Sequence, residues 1–270
     1  MMEKIKKLVL LLIAIVLFAP IANAKEKIEV STPDFGVYIF KINTKKYGDK
    51  IKPYVTSRLT TPQKLFDDNC FDLVVNGGFF DTRNGKSVSY VVIDNKLEAD
   101  IKDHVVLVKN LKNEKRLEKI LNRAELRILE NKRHKLRFDI AHHADPVKKG
   151  YKIKHSLQAG PMLKPTMDLV KEGFVEYEND MVKSQSADIL KRRERTALAL
   201  KGKHLYIVIF TNDYKVDAHE MLEYIQNNIK AKKILALDGG LSTAINYKNI
   251  SIGSVGNRQR KVKSFLVIER

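Results

Sequence analysis

The stretch from Val74 to Asp81, VVNGGFFD, decides how this chain folds. An apolar run typical of a buried strand ends at Asn76, and two glycines, two phenylalanines and an acid follow. Glycine lets the backbone turn through positive φ and lets a ligand approach bare N–H groups, which can bind anions. The pattern therefore predicts a strand end at Asn76 and a turn beside a ligand site at Gly77 and Gly78.

The same plan recurs in ILALDGGLST, from Ile234 to Thr243. An apolar run again leads to an acid, Asp238, and then to Gly239, Gly240 and two hydroxyl residues. A single turn of this kind is more often a tight connection with a capping acid than a binding site. Two such turns in one chain favour a shared site, and the purely structural interpretation remains the alternative.

Two further segments follow a similar pattern. LQAGPML, from Leu157 to Leu163, places the amide of Gln158 before an Ala-Gly-Pro turn, and RRERTALAL places Arg195 at the start of a predicted strand. A guanidinium can hold a phosphate or carboxylate through two parallel hydrogen bonds, which lysine cannot do. Arg195 is thus a candidate anion ligand, with a surface position as the alternative.

The chain of 270 residues begins with features of a secretory signal peptide. A basic start is followed by the apolar run Leu8 to Phe18, which is too short to span a bilayer, and by the cleavage pattern Ala22-Asn23-Ala24. We therefore expect residues 1–24 to be removed and the protein to be exported, either to the periplasm or outside the cell. An uncleaved N-terminal anchor is the alternative.

Residues 25–270 are expected to form one domain, because they contain no linker and no low-complexity tract. Cys70 is the only cysteine and is expected to be buried, so no internal disulfide can form. Short β-type runs dominate, which predicts an α+β fold: a single domain with a large mixed, mainly antiparallel β-sheet and a few flanking helices.

The predicted elements follow from periodicity and from turn residues. Helices are expected at Thr61 to Asp68, at Val216 to Ile229 with Asp213 as a candidate cap, and at Leu111 to Leu121, whereas 123–154 shows no clear pattern. The predicted strands are Lys27 to Ser31, Gly36 to Ile42, Phe71 to Val75, Ser87 to Ile93, His104 to Val108, Leu136 to Ile140, Thr196 to Leu200, Leu205 to Phe210, Lys233 to Leu237 and Val262 to Ile268.

The formal net charge of +18 predicts acidic partners. The chain lacks the interleaved aromatic residues that bind single-stranded nucleic acid, and an exported protein seldom meets nucleic acid. We therefore expect a sugar phosphate or phosphorylated glycan as the substrate and no nucleic acid. An electrostatic association with an anionic membrane surface or polysaccharide is a further expectation.

Four motifs, NGGFFD, LQAGP, RTALA and LDGGLST, occur in this order and resemble the phosphodiester glycosidase domain family. The resemblance covers roughly Val37 to Ile268, and the family includes bacterial members assigned to exopolysaccharide biosynthesis. The chain departs from the family where glycine is common, at Ala199, Leu241 and Ala218. Because residues other than glycine have fewer allowed backbone conformations, these replacements reduce the conformational freedom of the backbone around the site.

The resemblance implies hydrolysis of the bond between the anomeric carbon of a sugar and a phosphodiester. The implied catalytic residues are Asp238, Asp81 and Arg195, with Arg195 on the phosphate, assisted by backbone N–H groups. The implied substrate-binding residues are Asn76, Gly77, Gly78, Gln158, Gly160, Gly239, Gly240 and Ser242. We expect no cofactor and no catalytic metal, and a structural divalent cation near the site stays open.

Two other functions compete with this hypothesis. An exported binding module could keep the pocket and only hold anionic glycans, which the positive charge and the replaced glycines favour. A metal-dependent hydrolase could use His142-His143-Ala144-Asp145, although adjacent residues of a strand point to opposite faces, so only one histidine could join Asp145 at a metal. A polar loop is the simpler interpretation of that segment.

Overall fold

The computed structural model describes residues 28–111, 115–254 and 258–270. The predicted signal peptide, 1–24, lies outside these ranges and stays a prediction. Within them the chain forms eighteen strands and five α-helices, which confirms the α+β class. The strands, β1 to β18, are Glu29–Ser31, Val37–Asn43, Ile51–Thr60, Phe71–Asn76, Val91–Ile93, Lys96–Ala99, Ala124–Asn131, Leu136–His142, Tyr151–Gln158, Met162–Lys164, Val175–Glu178, Met181–Gln185, Arg195–Lys201, His204–Phe210, Lys233–Ala236, Ile245–Tyr247, Ile250–Ile252 and Val262–Glu269.

The helices lie between and beside the strands. They are α1 to α5, spanning Thr44–Tyr47, Pro62–Asp68, Val105–Leu111, Lys115–Leu121 and Ala218–Ile229, and three short 3₁₀ turns accompany them at Ile101–Asp103, Asn212–Tyr214 and Gly240–Ser242. No helix among the described residues has the length and apolar character needed to cross a membrane.

The strands are distributed over several antiparallel sheets rather than one large sheet. A six-stranded sheet has the order β1-β2-β14-β13-β15-β10, and two five-stranded sheets have the orders β17-β16-β4-β18-β3 and β6-β5-β9-β7-β8. The strands β11 and β12 form a separate ribbon. Each main sheet needs a covered apolar face, so the sheets pack together around a shared core.

That core joins all three main sheets. Phe40 of β2, Leu73 of β4 and Leu126 of β7 belong to one buried cluster, and each is at most 1% exposed. On its other face the six-stranded sheet packs against α5, which buries Met221 and Ile225. The i, i+4 spacing of these two residues places them on one helix face, as the sequence predicts.

The sequence predicted α2 and α5 well, and the caps explain why. Thr61 caps α2 by accepting a hydrogen bond from the N–H of Lys64, and Pro62 occupies the first turn. At α5 the cap is Asp217 rather than Asp213, because only Asp217 is followed by an acid three residues on, Glu220, that completes a capping box. The turn Lys201-Gly202-Lys203 joins β13 and β14 as a hairpin.

In the first half of the domain two predictions are wrong, and two segments that form strands lacked a clear prediction. The segment His104 to Val108 was predicted as a strand, but helix α3 begins at Val105. The His104 ring accepts a hydrogen bond from the N–H of Leu107. The side chains of Val105 and Val106 are exposed. Strand β3 was not predicted. The segment 123–154, which showed no clear sequence pattern, forms β7, β8 and the start of β9. Cys70 is exposed rather than buried. Apolar pattern alone did not separate exposed from buried positions here.

Candidate active site

The strand ends that carry the four motifs converge at one place. Strand β4 leads into VVNGGFFD, and β15 leads into LDGGLST beside β13, whose first residue is Arg195. The N–H of Asp238 donates to the carbonyl oxygen of Gly77 at 3.1 Å, and the N–H of Gly160 donates to that of Ala236 at 3.0 Å. Segments far apart in sequence thus form one hydrogen-bonded cluster.

The fully buried side chain of Asn76 joins three of these segments. Its Oδ1 accepts hydrogen bonds from Thr196 Oγ1 at 2.8 Å and from the N–H of Ala244 at 3.2 Å, and its Nδ2 donates to the carbonyl oxygen of Asp238 at 2.7 Å. Both oxygen lone pairs are therefore in use, and a single amide N–H is left. Asn76 positions the turn that carries Asp238.

The glycines allow the backbones to approach one another. A Cβ on Gly77 would lie 2.7 Å from the backbone of Ser264, and one on Gly160 would lie 2.7 Å from Glu172 Oε2. A Cβ on Gly78 would fall well inside 3.0 Å of the carbonyl oxygen of Gln158. Real Cβ atoms do not tolerate such distances, so these positions require glycine for close packing.

The N–H groups of these turns are already bonded within the protein. Gly77 and Gly78 donate to the carbonyl oxygen and to the hydroxyl oxygen of Ser264, at 2.8 and 3.1 Å. Gly239 donates to Asp238 Oδ1 at 3.0 Å, and Gly240 donates to the carbonyl oxygen of Glu194 at 2.8 Å. The expected binding of a phosphate by free backbone N–H groups has no support in this geometry.

The side chain of Gln158 is likewise committed to the backbone. It is fully buried, its Oε1 accepts from the N–H of Tyr90 at 3.2 Å, and its Nε2 donates to the carbonyl oxygens of Leu121 and Arg123 at 2.9 and 3.2 Å. Both amide protons are used, so Gln158 has no donor left for a sugar hydroxyl. We therefore assign it a positioning role.

Arg195 lies beside Asp238 but is not a free guanidinium. It is 3% exposed, and it donates four hydrogen bonds to backbone carbonyl oxygens at 2.6 to 3.2 Å. These acceptors are Val216, Ala187, Asp188 and Lys191. With four of its five N–H groups occupied, Arg195 cannot offer a two-point contact to a phosphate. It orders the loop at 187–191 and contributes a positive charge near Asp238.

Asp238 carries a carboxyl group whose pKa is strongly shifted by its surroundings. Burial raises the pKa of its carboxyl group to about 6, opposed by hydrogen bonds from Ser242 and from the N–H of Gly239 and by the charges of Arg260 and Arg195. The residue as a whole is still partly exposed. A carboxyl group with such a pKa can exchange a proton near neutral pH, as general acid–base catalysis requires.

Asp81, the second predicted carboxylate, forms a separate cluster with His104 and Arg83. His104 is 3% exposed, and its Nδ1 accepts from the N–H of Leu107, so the neutral ring carries its proton on Nε2 and donates to Asp81 Oδ2 at 3.1 Å. Arg83 donates to both carboxylate oxygens at 3.2 Å. Hydrogen bonds from Arg83 and then His104, opposed by desolvation, lower the pKa of Asp81 to about 2.

A stability measurement tests this cluster. Because the pKa of Asp81 falls from 3.8 to about 2 on folding, its stabilising contribution is present above pH 3.8 and is lost as the pH falls to 2. We expect Asp81→Asn to lower the free energy of unfolding at pH 7 and to differ little from the wild type at pH 2. Urea unfolding across this range, with Asp49→Asn as the control, measures the difference; a gap that does not change with pH would contradict the assignment.

Arg260 is a residue that sequence reasoning missed. It is exposed, its guanidinium carbon lies 5.9 Å from the centroid of the Phe80 ring, and its charge lowers the pKa of Asp238. The sequence does contain a basic stretch, which includes Arg260, just before β18. In the structure Phe265 of β18 pairs with Asn76. Only the strand pairing reveals that this stretch returns to the VVNGGFFD turn.

The segment His142-His143-Ala144-Asp145 covers the last residue of β8 and the turn that follows it. His142 Nε2 faces the buried Glu172 at 3.6 Å, whereas His143 Nδ1 contacts Glu125 Oε2 at 3.1 Å. The two rings thus point to different carboxylates, as expected for neighbouring residues at a strand end. Among the described residues, no group of three or more His, Cys, Asp or Glu side chains is arranged to hold a metal ion.

Comparison with solved structures supports the same fold. The chain is similar to the catalytic domain of zebrafish N-acetylglucosamine-1-phosphodiester alpha-N-acetylglucosaminidase, auto-inhibited by its pro-peptide, with a TM-score of 0.61 and 14% identity over 90% of this chain and 82% of that one. It is also similar to a hypothetical protein from Synechocystis, with a TM-score of 0.60 and 13% identity over 90% of this chain. It covers 61% of the length of the Synechocystis chain.

No curated protein sequence matches the chain at a significant level. The sequence itself, however, matches the phosphodiester glycosidase family over residues 69–269, a span that contains all four motifs. The clustered strand ends and the buried carboxyl group of Asp238 lie within that span. On the strength of this match, the chain belongs to the phosphodiester glycosidase family.

Proposed function

We propose that this protein is an exported glycosidase that hydrolyses the anomeric bond of a sugar-1-phosphodiester, in the metabolism of exopolysaccharide or cell-envelope glycans. The observation that carries the proposal is the carboxyl group of Asp238, with a pKa of about 6, at the point where the family motifs meet. The zebrafish relative is named for this type of bond. The predicted signal peptide supports export.

The chemistry of the bond explains what the site must supply. The departing phosphate is a much better leaving group than an alcohol, so its protonation matters less than stabilisation of the positive charge that develops at the anomeric carbon. A carboxylate close to that carbon provides this stabilisation, as nucleophile or as general base. We assign this role to Asp238, which Ser242 and Gly239 hold in place.

A cation must also hold the phosphate, and we assign this role to Arg260. Arg195 is occupied by carbonyl oxygens, whereas Arg260 is exposed and acts electrostatically on Asp238. An exposed guanidinium can make the two-point contact with a phosphate that lysine cannot make. Asp81 remains the second carboxylate of the proposal, held ionised by Arg83 and His104.

Substitution of Arg260 tests its role in binding. Arg260→Gln removes the cation and is expected to raise KM for a sugar-1-phosphodiester about tenfold, with a smaller change in kcat, because the lost contact exists before the reaction. Steady-state kinetics measure both constants. Arg270→Gln, which removes an exposed arginine beyond the opposite end of β18, should leave KM unchanged. An unaltered KM in Arg260→Gln would exclude Arg260 as a phosphate ligand.

The activity itself is tested by incubating the purified protein with a panel of nucleotide sugars and synthetic sugar-1-phosphodiesters. We expect free reducing sugar and a phosphate monoester as the products. Release of an alcohol with the sugar still phosphorylated would identify a phosphodiesterase and contradict the proposal. Detection of both products by mass spectrometry separates the two cleavage positions.

A second candidate function is a non-catalytic module that binds anionic glycans. It is favoured by the bonded state of the turn N–H groups, which leaves fewer donors for a transition state than the sequence suggested. Salt-sensitive binding of an acidic polysaccharide without release of any sugar from the panel would favour this function over the enzyme.

A further inference from the structure

A region rich in positive charge lies away from the candidate active site. A cavity of about 780 Å³ is bordered by the β13–β14 turn, the start of α1 and the edge strand β8. Four cationic side chains and no acidic ones line it, together with Phe138 and Tyr151. The four cations are Lys45, Lys135, Arg137 and Lys203.

The region is elongated rather than confined to one cavity. A cavity of about 440 Å³ shares Lys135 and Tyr151 with the first and adds Lys132 and Arg133 to the lining. A third, of about 480 Å³, also includes Tyr151. We call the three together the basic groove, defined by Lys45, Lys132, Arg133, Lys135, Arg137, Tyr151 and Lys203.

The charge of the basic groove is largely uncompensated. Glu130, the acid in its lining, already contacts Lys154 at 3.1 Å and His134 at 3.4 Å. Across the part of the chain that the structure describes, none of the six lysines and arginines that define the groove takes part in an ion pair. A concave surface lined by one sign of charge concentrates its field and attracts multivalent anions.

The backbone beneath the groove is well fixed. The N–H and the hydroxyl group of Thr44 both donate to the carbonyl oxygen of Lys203, each at 2.9 Å, which ties α1 to the β13–β14 turn. Lys45 and Lys203 are therefore held next to each other. A groove built on such a base exists before a ligand arrives, which lowers the entropic cost of binding.

The basic groove and the candidate active site lie at opposite ends of strand β13. This strand begins at Arg195, beside Asp238, and ends at Lys201, next to the groove. At 3.3 to 3.4 Å per residue, its seven residues span roughly 20 Å. The groove is thus a separate site and not an extension of the first.

We propose that the basic groove binds a linear anionic polysaccharide, a glycan chain that carries carboxylate or phosphate groups along its length. The contiguous cavities suit an extended polymer, and Arg137 and Arg133 can make two-point contacts with its anionic groups. The rings of Tyr151 and Phe138 offer apolar faces to the C–H surfaces of sugar rings. A flat membrane surface does not fit a recess, so lipid headgroups match the groove less well.

The test compares two triple variants that remove the same charge. Lys45→Gln, Lys135→Gln and Lys203→Gln neutralise the groove, and Lys96→Gln, Lys109→Gln and Lys171→Gln neutralise three exposed lysines elsewhere. Binding of polygalacturonate is measured by calorimetry, with uncharged dextran and with vesicles of phosphatidylglycerol and phosphatidylcholine as the other arms. We expect the groove variant to lose about tenfold or more in affinity for polygalacturonate and the control variant less than twofold.

Each other outcome overturns the proposal. An equal loss in both triple variants would show that the overall charge, and not the groove, attracts the polymer. Binding to anionic vesicles but not to polygalacturonate would identify a membrane site instead. Because all six substituted lysines are exposed, loss of folding should not obscure the comparison. Hydrolysis of a sugar-1-phosphodiester should be unchanged in the groove variant, so the test is independent of the proposed catalytic function.

Discussion

Asp238→Asn is expected to lower kcat for a sugar-1-phosphodiester by about 1000-fold, because the amide can act neither as a nucleophile nor as an acid or base. Asparagine has nearly the same shape, and its Oδ1 can still accept the hydrogen bond from the N–H of Gly239. The loss should therefore appear in kcat rather than in KM. Release of free sugar under saturating substrate measures it.

The pH dependence of the wild type indicates which role Asp238 plays. If its carboxylate attacks or takes up a proton, activity should rise as the pH passes upward through about 6; if the protonated form donates, activity should fall over the same interval. The Asp238→Asn variant should lose this inflection. Asp49→Asn, at an exposed acid that forms no ion pair within the described ranges, serves as the matched control. Full activity in Asp238→Asn would remove Asp238 from the mechanism.

Loss of the fold would be a trivial explanation for an inactive variant, and the pKa shift argues against it. The folded protein raises the pKa of Asp238 from 3.8 to about 6, so it binds more protons than the unfolded chain between these values. Stability therefore decreases as the pH rises through that window. A neutral asparagine avoids this cost, and we expect Asp238→Asn to unfold at pH 8 at a temperature no lower than that of the wild type.

Gly78→Ala is expected to have the largest effect on stability. The added Cβ would fall inside 3.0 Å of the carbonyl oxygen of Gln158 and of Ser89 Oγ, and both neighbours are buried. The carbonyl oxygen belongs to the backbone and cannot rotate away. We expect a loss of about 3 kcal/mol in the free energy of unfolding, as for overpacked interiors. Thermal unfolding should show a decrease in Tm of roughly 10 °C.

Gly202→Ala is the control that measures the cost of backbone strain without any steric clash. Gly202 has a φ of +58°, but a Cβ there would have no heavy atom within 4 Å. Its substitution should cost only about 1 kcal/mol, the penalty for a left-handed residue. Similar losses in Gly78→Ala and Gly202→Ala would contradict the argument from close approach. Because Gly78 lies in the VVNGGFFD turn, Gly78→Ala should also reduce activity, whereas Gly202→Ala should not.

The glycine pairs show how far sequence reasoning could go. A strand that ends in Asn-Gly-Gly or Asp-Gly-Gly predicts a turn with little side-chain bulk, and both turns are present. The sequence does not say what fills the space next to a glycine. Beside Gly77 and Gly78 the backbone of Ser264 and of Gln158 fills it, and the N–H groups of these two glycines donate to Ser264 rather than to a phosphate.

The polar residues of the motifs also show which features the sequence predicts and which only the structure reveals. Asn76, Gln158 and Arg195 were predicted to touch the substrate, and they do lie in the cluster. Each, however, is buried and spends its hydrogen bonds within the protein, on backbone groups and, for Asn76, also on the hydroxyl group of Thr196. A buried polar group must be paired, and the number of partners that reach it depends on segments up to 168 residues away in sequence, as between Asn76 and Ala244.

By itself, the sequence determined the α+β class, the strands β4, β13, β14, β15 and β18, the Thr61 cap of α2 and the family motifs, because periodicity, turn residues and capping are local in origin. Only the tertiary structure decided which strands pair, which polar groups remain free and where charges meet. The pKa of Asp238, the place of Arg260 beside it and the basic groove at the far end of β13 all depend on burial and on contacts between distant segments. Such contacts are set by packing of the whole chain, which no local pattern encodes.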